Sequence, residues 1–264
     1  MSELFKSPIL VGLVSLVLFS LAAGIGYRMR FWRTREKDDG EDYALVVGGT
    51  LTLVGLIIAF TFSMAVGRYD QRKNYEEQEA NAIGTEYARA DLLPPEKAAQ
   101  VRALLRRYLD QRIQWYTARD AERVRRIEAE TSRLQAEMWT LVATHAATQQ
   151  TPVAALVAAG MNGVLDAQGF TQSAWWNQIP AGAWALLIAI AVFCNLLIGF
   201  RMHDKSLFFT LVMPLALAIT LFLIADIDAP RNGAIRVHPQ NLESVAASFA
   251  GQEPATPGAS SAPR

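Results

Sequence analysis

Four uninterrupted apolar runs decide what this chain can fold into. Ile9–Tyr27, Ala44–Val66, Ala181–Phe200 and Leu207–Ala225 are 19 to 23 residues long and contain no Asp, Glu, Lys, Arg or His. At ~1.5 Å rise per residue, a helix of that length spans the roughly 30 Å hydrocarbon core of a bilayer. Inside lipid each backbone donor needs a partner within its own segment, which a helix provides. The expected fold is an all-α integral membrane protein with four transmembrane helices in two hairpins, and a helical extramembrane domain inserted between the second and third. The first run is long for a signal-peptide core, and no small-residue cleavage site precedes Arg28, Arg30, Arg33 and Arg35, so it is read as a retained helix. Pro214, inside the fourth run, is expected to kink that helix rather than end it.

The resulting domain plan is a first hairpin over 1–67, a helical domain over 68–178, a second hairpin over 179–228, a C-terminal segment over 229–250 and a disordered tail over 251–264. The tail is Pro, Ala, Ser and Gly with little to bury. Within the central domain, Arg68–Leu92 is expected to prolong the second span until Pro94 and Pro95 stop it. A helix from Glu96 to about Arg119 follows, with Leu104, Leu105, Tyr108, Leu109, Arg112 and Trp115 on one face. The next, Asp120 to about Thr148, carries Val124, Ile127, Leu134, Met138, Leu141 and Val142 as its stripe. Its Arg123, Arg125 and Arg126 are read as a solvated face. Thr151 and Pro152 open a shorter helix ending near Asp166, and Gly169–Pro180, with Trp175 and Trp176, re-enters the interface.

Lys and Arg balance Asp and Glu at 25 against 25, which removes the electrostatic case for a nucleic-acid partner. One cysteine, Cys194, allows no intramolecular disulfide. His145, His203 and His238 form no metal-binding pair, and no phosphate-binding glycine motif or nucleophile elbow occurs. No catalytic residue, cofactor or metal is expected, and the chain is not read as an enzyme. Asp226 and Asp228 are read as markers of the membrane boundary.

Two stretches stand out. In the second span Gly48, Thr52, Gly55, Ala59 and Ser63 recur at three and four, the pattern that lets helices approach closely. Beside them Thr52, Leu56 and Phe60, spaced by four, are the candidate pore-neck positions, since an apolar ring in an oligomer gates by dewetting. Beyond the span, Arg68, Asp70, Glu79, Asn81, Thr85, Arg89 and Asp91 place costly polar groups on a helix leaving the membrane. They suit a polar network fixing that helix against its neighbours, or the wall of a vestibule.

These residues carry a resemblance. AFTFSMAVGRYDQR, EANAIGT, RADLLP, RRYLDQR and PRNGAIRV, in that order, closely resemble the bestrophin-like domain family of bacterial membrane proteins. More distantly the layout is similar to bestrophins, which are pentameric anion channels. That likeness implies a homo-oligomer in the bacterial inner membrane that passes small anions such as chloride, with the central domain cytoplasmic. It also implies that Thr52, Leu56 and Phe60 form a hydrophobic neck. Bestrophins carry a bulky aliphatic residue where Thr52 stands, and their acidic calcium clasp has no counterpart after Asp228. The short-loop cations Arg28, Arg30, Arg33, Arg35, Lys37, Arg201 and Lys205 favour the opposite orientation, though counting Arg68, Arg72 and Lys73 makes the balance nearly even. A non-conducting scaffold or sensor whose helical domain binds a partner is the alternative reading.

Overall fold

The computed structural model describes residues 7–29, 40–201 and 207–251. Among these it is helical throughout: α1 (Pro8–Met29), α2 (Gly40–Arg89), a 3-10 turn (Ala90–Leu92), α3 (Pro95–Thr117), α4 (Ala121–Thr148), α5 (Pro152–Trp176), α6 (Ala181–Arg201), α7 (Leu207–Asp228) and α8 (Gln240–Gly251). Four helical stretches are long and apolar enough to cross a membrane, lying within Pro8–Met29, Tyr43–Leu92, Pro152–Arg201 and Leu211–Asp228. The chain thus has the character of a membrane protein. The extension of the second span past its apolar run is confirmed, because α2 continues for 50 residues. Pro214 sits inside α7 without ending it. The tail from 252 to 264 lies outside the described residues.

Two compact units divide the chain, one of residues 1–71 and 175–236, the other of residues 72–174 and 237–264. In the first, α1 packs against both α6 and α7. The core is apolar, built from Phe19, Val54, Trp184, Leu187, Cys194, Leu221 and Ile224 among others. The opposite face of α1 is apolar too: Ile9, Leu13, Val17, Leu21 and Ile25, one every turn, are exposed. A helix apolar on both faces belongs in lipid, because water would leave its outer stripe unfavourably solvated.

One close helix crossing in this unit uses two glycines. A Cβ on Gly26 would strike the Leu196 carbonyl oxygen, and one on Gly199 the Ala23 carbonyl oxygen. The small-residue stripe of α2 meets no other helix at its glycines among the described residues. Gly48 and Gly55 have open space where a Cβ would go, and Thr52, Ala59 and Ser63 are exposed.

Asp226 and Asp228, at the end of α7, are both buried and accept from the backbone. Asp228 accepts from the Ile179 N–H at 3.0 Å, while Asp226 accepts from Ala234 at 2.7 Å and Ile235 at 2.8 Å. Gly233 makes that loop possible, since a Cβ there would crowd the Asp226 and Ala229 carbonyls. The Arg231 guanidinium lies over the Trp175 ring, 4.7 Å from its centroid.

In the second unit α3 and α4 pair, and the expected stripes lie largely on the inside, with Leu104 and Leu141 only partly covered. Leu105, Tyr108, Leu109, Arg112, Trp115, Val124, Ile127, Leu134, Met138 and Val142 are buried, while Arg123, Arg125 and Arg126 are exposed. Asp120 caps α4 by accepting from the Arg123 N–H. The helix opened by Pro152 does not stop near Asp166. It continues to Trp176, because Val164, Ala167, Thr171 and Ala174 keep burying one face and no proline intervenes before Pro180.

The C-terminal segment holds a helix the sequence did not announce. At 12 residues α8 is too short to be stable alone. Its free N-terminal donors are met by Glu76 of α2, whose carboxylate accepts from the N–H groups of Asn241 (2.9 Å) and Leu242 (3.0 Å) and from the Asn241 side chain (2.6 Å). Near its other end Phe249 stacks on Tyr87, with ring centroids 3.7 Å apart.

Candidate functional site: the second helix

The buried positions of α2 within the first unit are Val54, Thr61 and Ala65, with Ile57 and Ile58 partly covered. At 100° per residue these lie on one side of the helix. Thr52, Leu56 and Phe60 fall on the other side, with Leu56 51% and Phe60 63% exposed. Among the described residues the three neck candidates therefore share an exposed face. The Thr52 hydroxyl donates to the Gly48 carbonyl at 2.9 Å, so its polar atom is already engaged by its own helix. The threonine is less polar at this level than its formula suggests.

The polar motif residues divide into different roles. Arg68 donates to the Asn177 side chain. Asp70, Asn81 and Thr85 are exposed and spaced so as to share one face. Asp91 pairs with Arg102 at the surface, and Arg89 lies 3.9 Å from the Glu86 carboxylate.

Glu79 alone of the seven is fully buried, and it anchors a network. It accepts from Arg112, from the Tyr116 hydroxyl at 3.3 Å and from Thr171 at 3.1 Å, which ties α2 to α3 and α5. Arg112 also lies 4.6 Å from the Trp115 ring centroid. Burial works most strongly against the Arg112 charge, but the charge and hydrogen bond of Glu79 together with the Tyr108 and Tyr116 phenols outweigh it and hold its pKa above the ordinary value. Burial and the same carboxylate push Tyr116 well above the usual phenol range, so it stays a neutral donor.

Reading the sequence missed Glu76, Glu86, Tyr116 and Thr171. The signal was available in part: Glu76, Glu79, Ile83 and Glu86 recur at three and four, and a stripe mixing glutamate with isoleucine marks a buried polar face. Arg112 was placed on the inner face of its helix without its partner being identified.

The comparisons agree with this architecture. Among solved structures, a point variant of a bacterial bestrophin homologue from Klebsiella pneumoniae is 13% identical, with 91% of this chain and 99% of that chain covered at a TM-score of 0.62. Another variant of that homologue gives 13%, 93% and 99%, with a TM-score of 0.61. A variant described as a membrane protein gives 13%, 91% and 99%, with a TM-score of 0.64. At such identities the likeness is one of fold. A search of curated proteins gives no match. The model of the bestrophin-like domain matches residues 14–242, nearly the whole described chain, and the protein belongs to the bestrophin-like family.

Proposed function

We propose that the chain is one subunit of a homo-oligomeric channel that passes small anions such as chloride along an axis lined by α2. The observation that carries this reading is the outward face of α2, where Thr52, Leu56 and Phe60 stand exposed among the described residues. Past the span, exposed residues continue at the same spacing through Asp70, Asn74, Glu77, Asn81 and Thr85, but they are now polar. An apolar level followed by a hydrated one is what a neck opening into a vestibule requires, since a bare anion at the neck loses hydration with no donor in return.

In this reading the first unit is membrane-embedded as two hairpins, and residues 68–178 form a cytoplasmic domain in the bacterial inner membrane. The fold of the bestrophin homologue supports that layout, and bestrophins supply the expectation of a pentamer. Purified protein in liposomes should pass chloride, and the Leu56→Ala/Phe60→Ala variant should pass it faster. Absence of flux from assembled wild-type oligomer would favour the scaffold reading. A cysteine at Arg126 in a Cys194→Ser background should resist impermeant thiol reagents in whole cells, and labelling without permeabilisation reverses the orientation.

A further inference from the structure

Three glutamates of α2 are turned inward, and their surroundings differ. Glu76 receives three donors at the start of α8, and Glu79 receives Arg112, Tyr116 and Thr171. Glu86 is as buried as Glu79, with 0% exposure, yet among the described residues nothing donates a hydrogen bond to either of its carboxyl oxygens.

Its neighbours explain how it is held. From α5 comes Gly160, so close that a Cβ there would strike Glu86 Oε2 and lie 3.1 Å from its Cδ. A glycine is thus what lets the carboxyl lie against the α5 backbone. No ionisable side chain occurs between Pro152 and Leu165, so α5 brings no charge to this level. From α3, the register set by Glu79 and Arg112 brings Leu105 opposite, while Arg102 and Arg106 bond Asp91 and the Tyr87 hydroxyl. The second half of α4 carries Glu137 and His145, and neither bonds the Glu86 carboxyl. α8 meets this part of α2 through Val245 at Gly84, with its Glu243 exposed. The charge that bears on Glu86 is Arg89, 3.9 Å away and one-third exposed.

We propose that Glu86 is a proton-binding site: it is held as the neutral acid at neutral pH, and its ionisation on the alkaline side loosens α5 from α2 at Gly160. An ionised carboxylate at this place would be buried without a hydrogen-bond donor, facing a helix backbone with one partly hydrated cation at 3.9 Å. Burial pushes its pKa up to about 8, with Arg89 opposing. The sign follows from linkage. The folded chain binds this proton more tightly than the unfolded chain, so the stabilisation is complete below the ordinary carboxyl range. It is lost progressively as pH rises towards 8.

Infrared spectroscopy of the full-length protein in liposomes tests the site, because a protonated carboxylic acid has a carbonyl stretch distinct from carboxylate. Wild type should show such a band at pH 7 that disappears by pH 9, and Glu86→Gln should lack it at both. The wild-type melting temperature should fall between pH 5 and 8, more steeply than that of Glu86→Gln. Should the variant fail to fold, the wild-type titration decides alone. No acid band at pH 7, a band unchanged at pH 9, or one that persists in Glu86→Gln overturns the assignment.

Discussion

Gly26 of α1 and Gly199 of α6 form a reciprocal crossing, in which each glycine lies under a backbone carbonyl of the opposite helix. The helices approach there to a distance that excludes even a methyl group. Gly26→Ala and Gly199→Ala should each destabilise the protein, because the added Cβ must move a backbone rather than a flexible side chain. A cost of about 1–3 kcal/mol is expected, as for overpacking elsewhere. Thermal melting in detergent reads it, with Gly24→Ala, where open space receives the methyl, as the control expected to melt like wild type.

Glu79 and Arg112 should behave as a unit. Either Glu79→Gln or Arg112→Met alone leaves a buried charge without its counter-ion and should cost about 3–5 kcal/mol. The double variant should recover a large part of that loss. A double-mutant cycle on chemical denaturation measures the coupling, and additive losses would show that the pair is not coupled.

The outward face of α2 gives a prediction about selectivity. Asp70 and Glu77 are exposed on the polar continuation of that face, and negative charge beside an anion path lowers local anion concentration. Asp70→Asn with Glu77→Gln should raise chloride flux in liposomes, most at low ionic strength where screening is weakest. Flux unchanged at low salt would place these carboxylates away from the path.

Loss of the carboxylate in Asp226→Ala should leave the Ala234 and Ile235 N–H groups without acceptor and free the loop after α7. These donors are partly exposed and water can take the place of the carboxylate, so a cost of about 0.5–1.5 kcal/mol is expected. Faster proteolysis within 229–237 is the accompanying readout.

The spans were legible because lipid imposes one requirement on every residue of a run, so the pattern is local and repeated. The inner stripes of α3 and α4 were legible for the same reason. What escaped the sequence depends on pairs far apart in the chain. The end of α5 was placed too early because Gly163 and Gly169 dilute its apolar spacing, whereas Met161, Val164 and Thr171 are held by neighbours from elsewhere. The small-residue stripe from Gly48 to Ser63 was visible, but spacing alone does not say which helix receives it. Of the candidate polar residues, Glu79 is an anchor while Asp70, Asn81 and Thr85 are surface, and nothing in their types separates them.

The cap that Glu76 places on α8 has a consequence for biogenesis. The acceptor and its first donor are separated by 165 residues, so α2 leaves the ribosome long before α8 exists. At the usual pace of synthesis the interval is roughly ten to thirty seconds, during which the inward face around Glu76 waits without its final helix. Both later spans must be made in the meantime. Docking of α8 therefore comes after the last span has been synthesised, and a chain cut short after α7 exposes a half-finished surface for a protease to find.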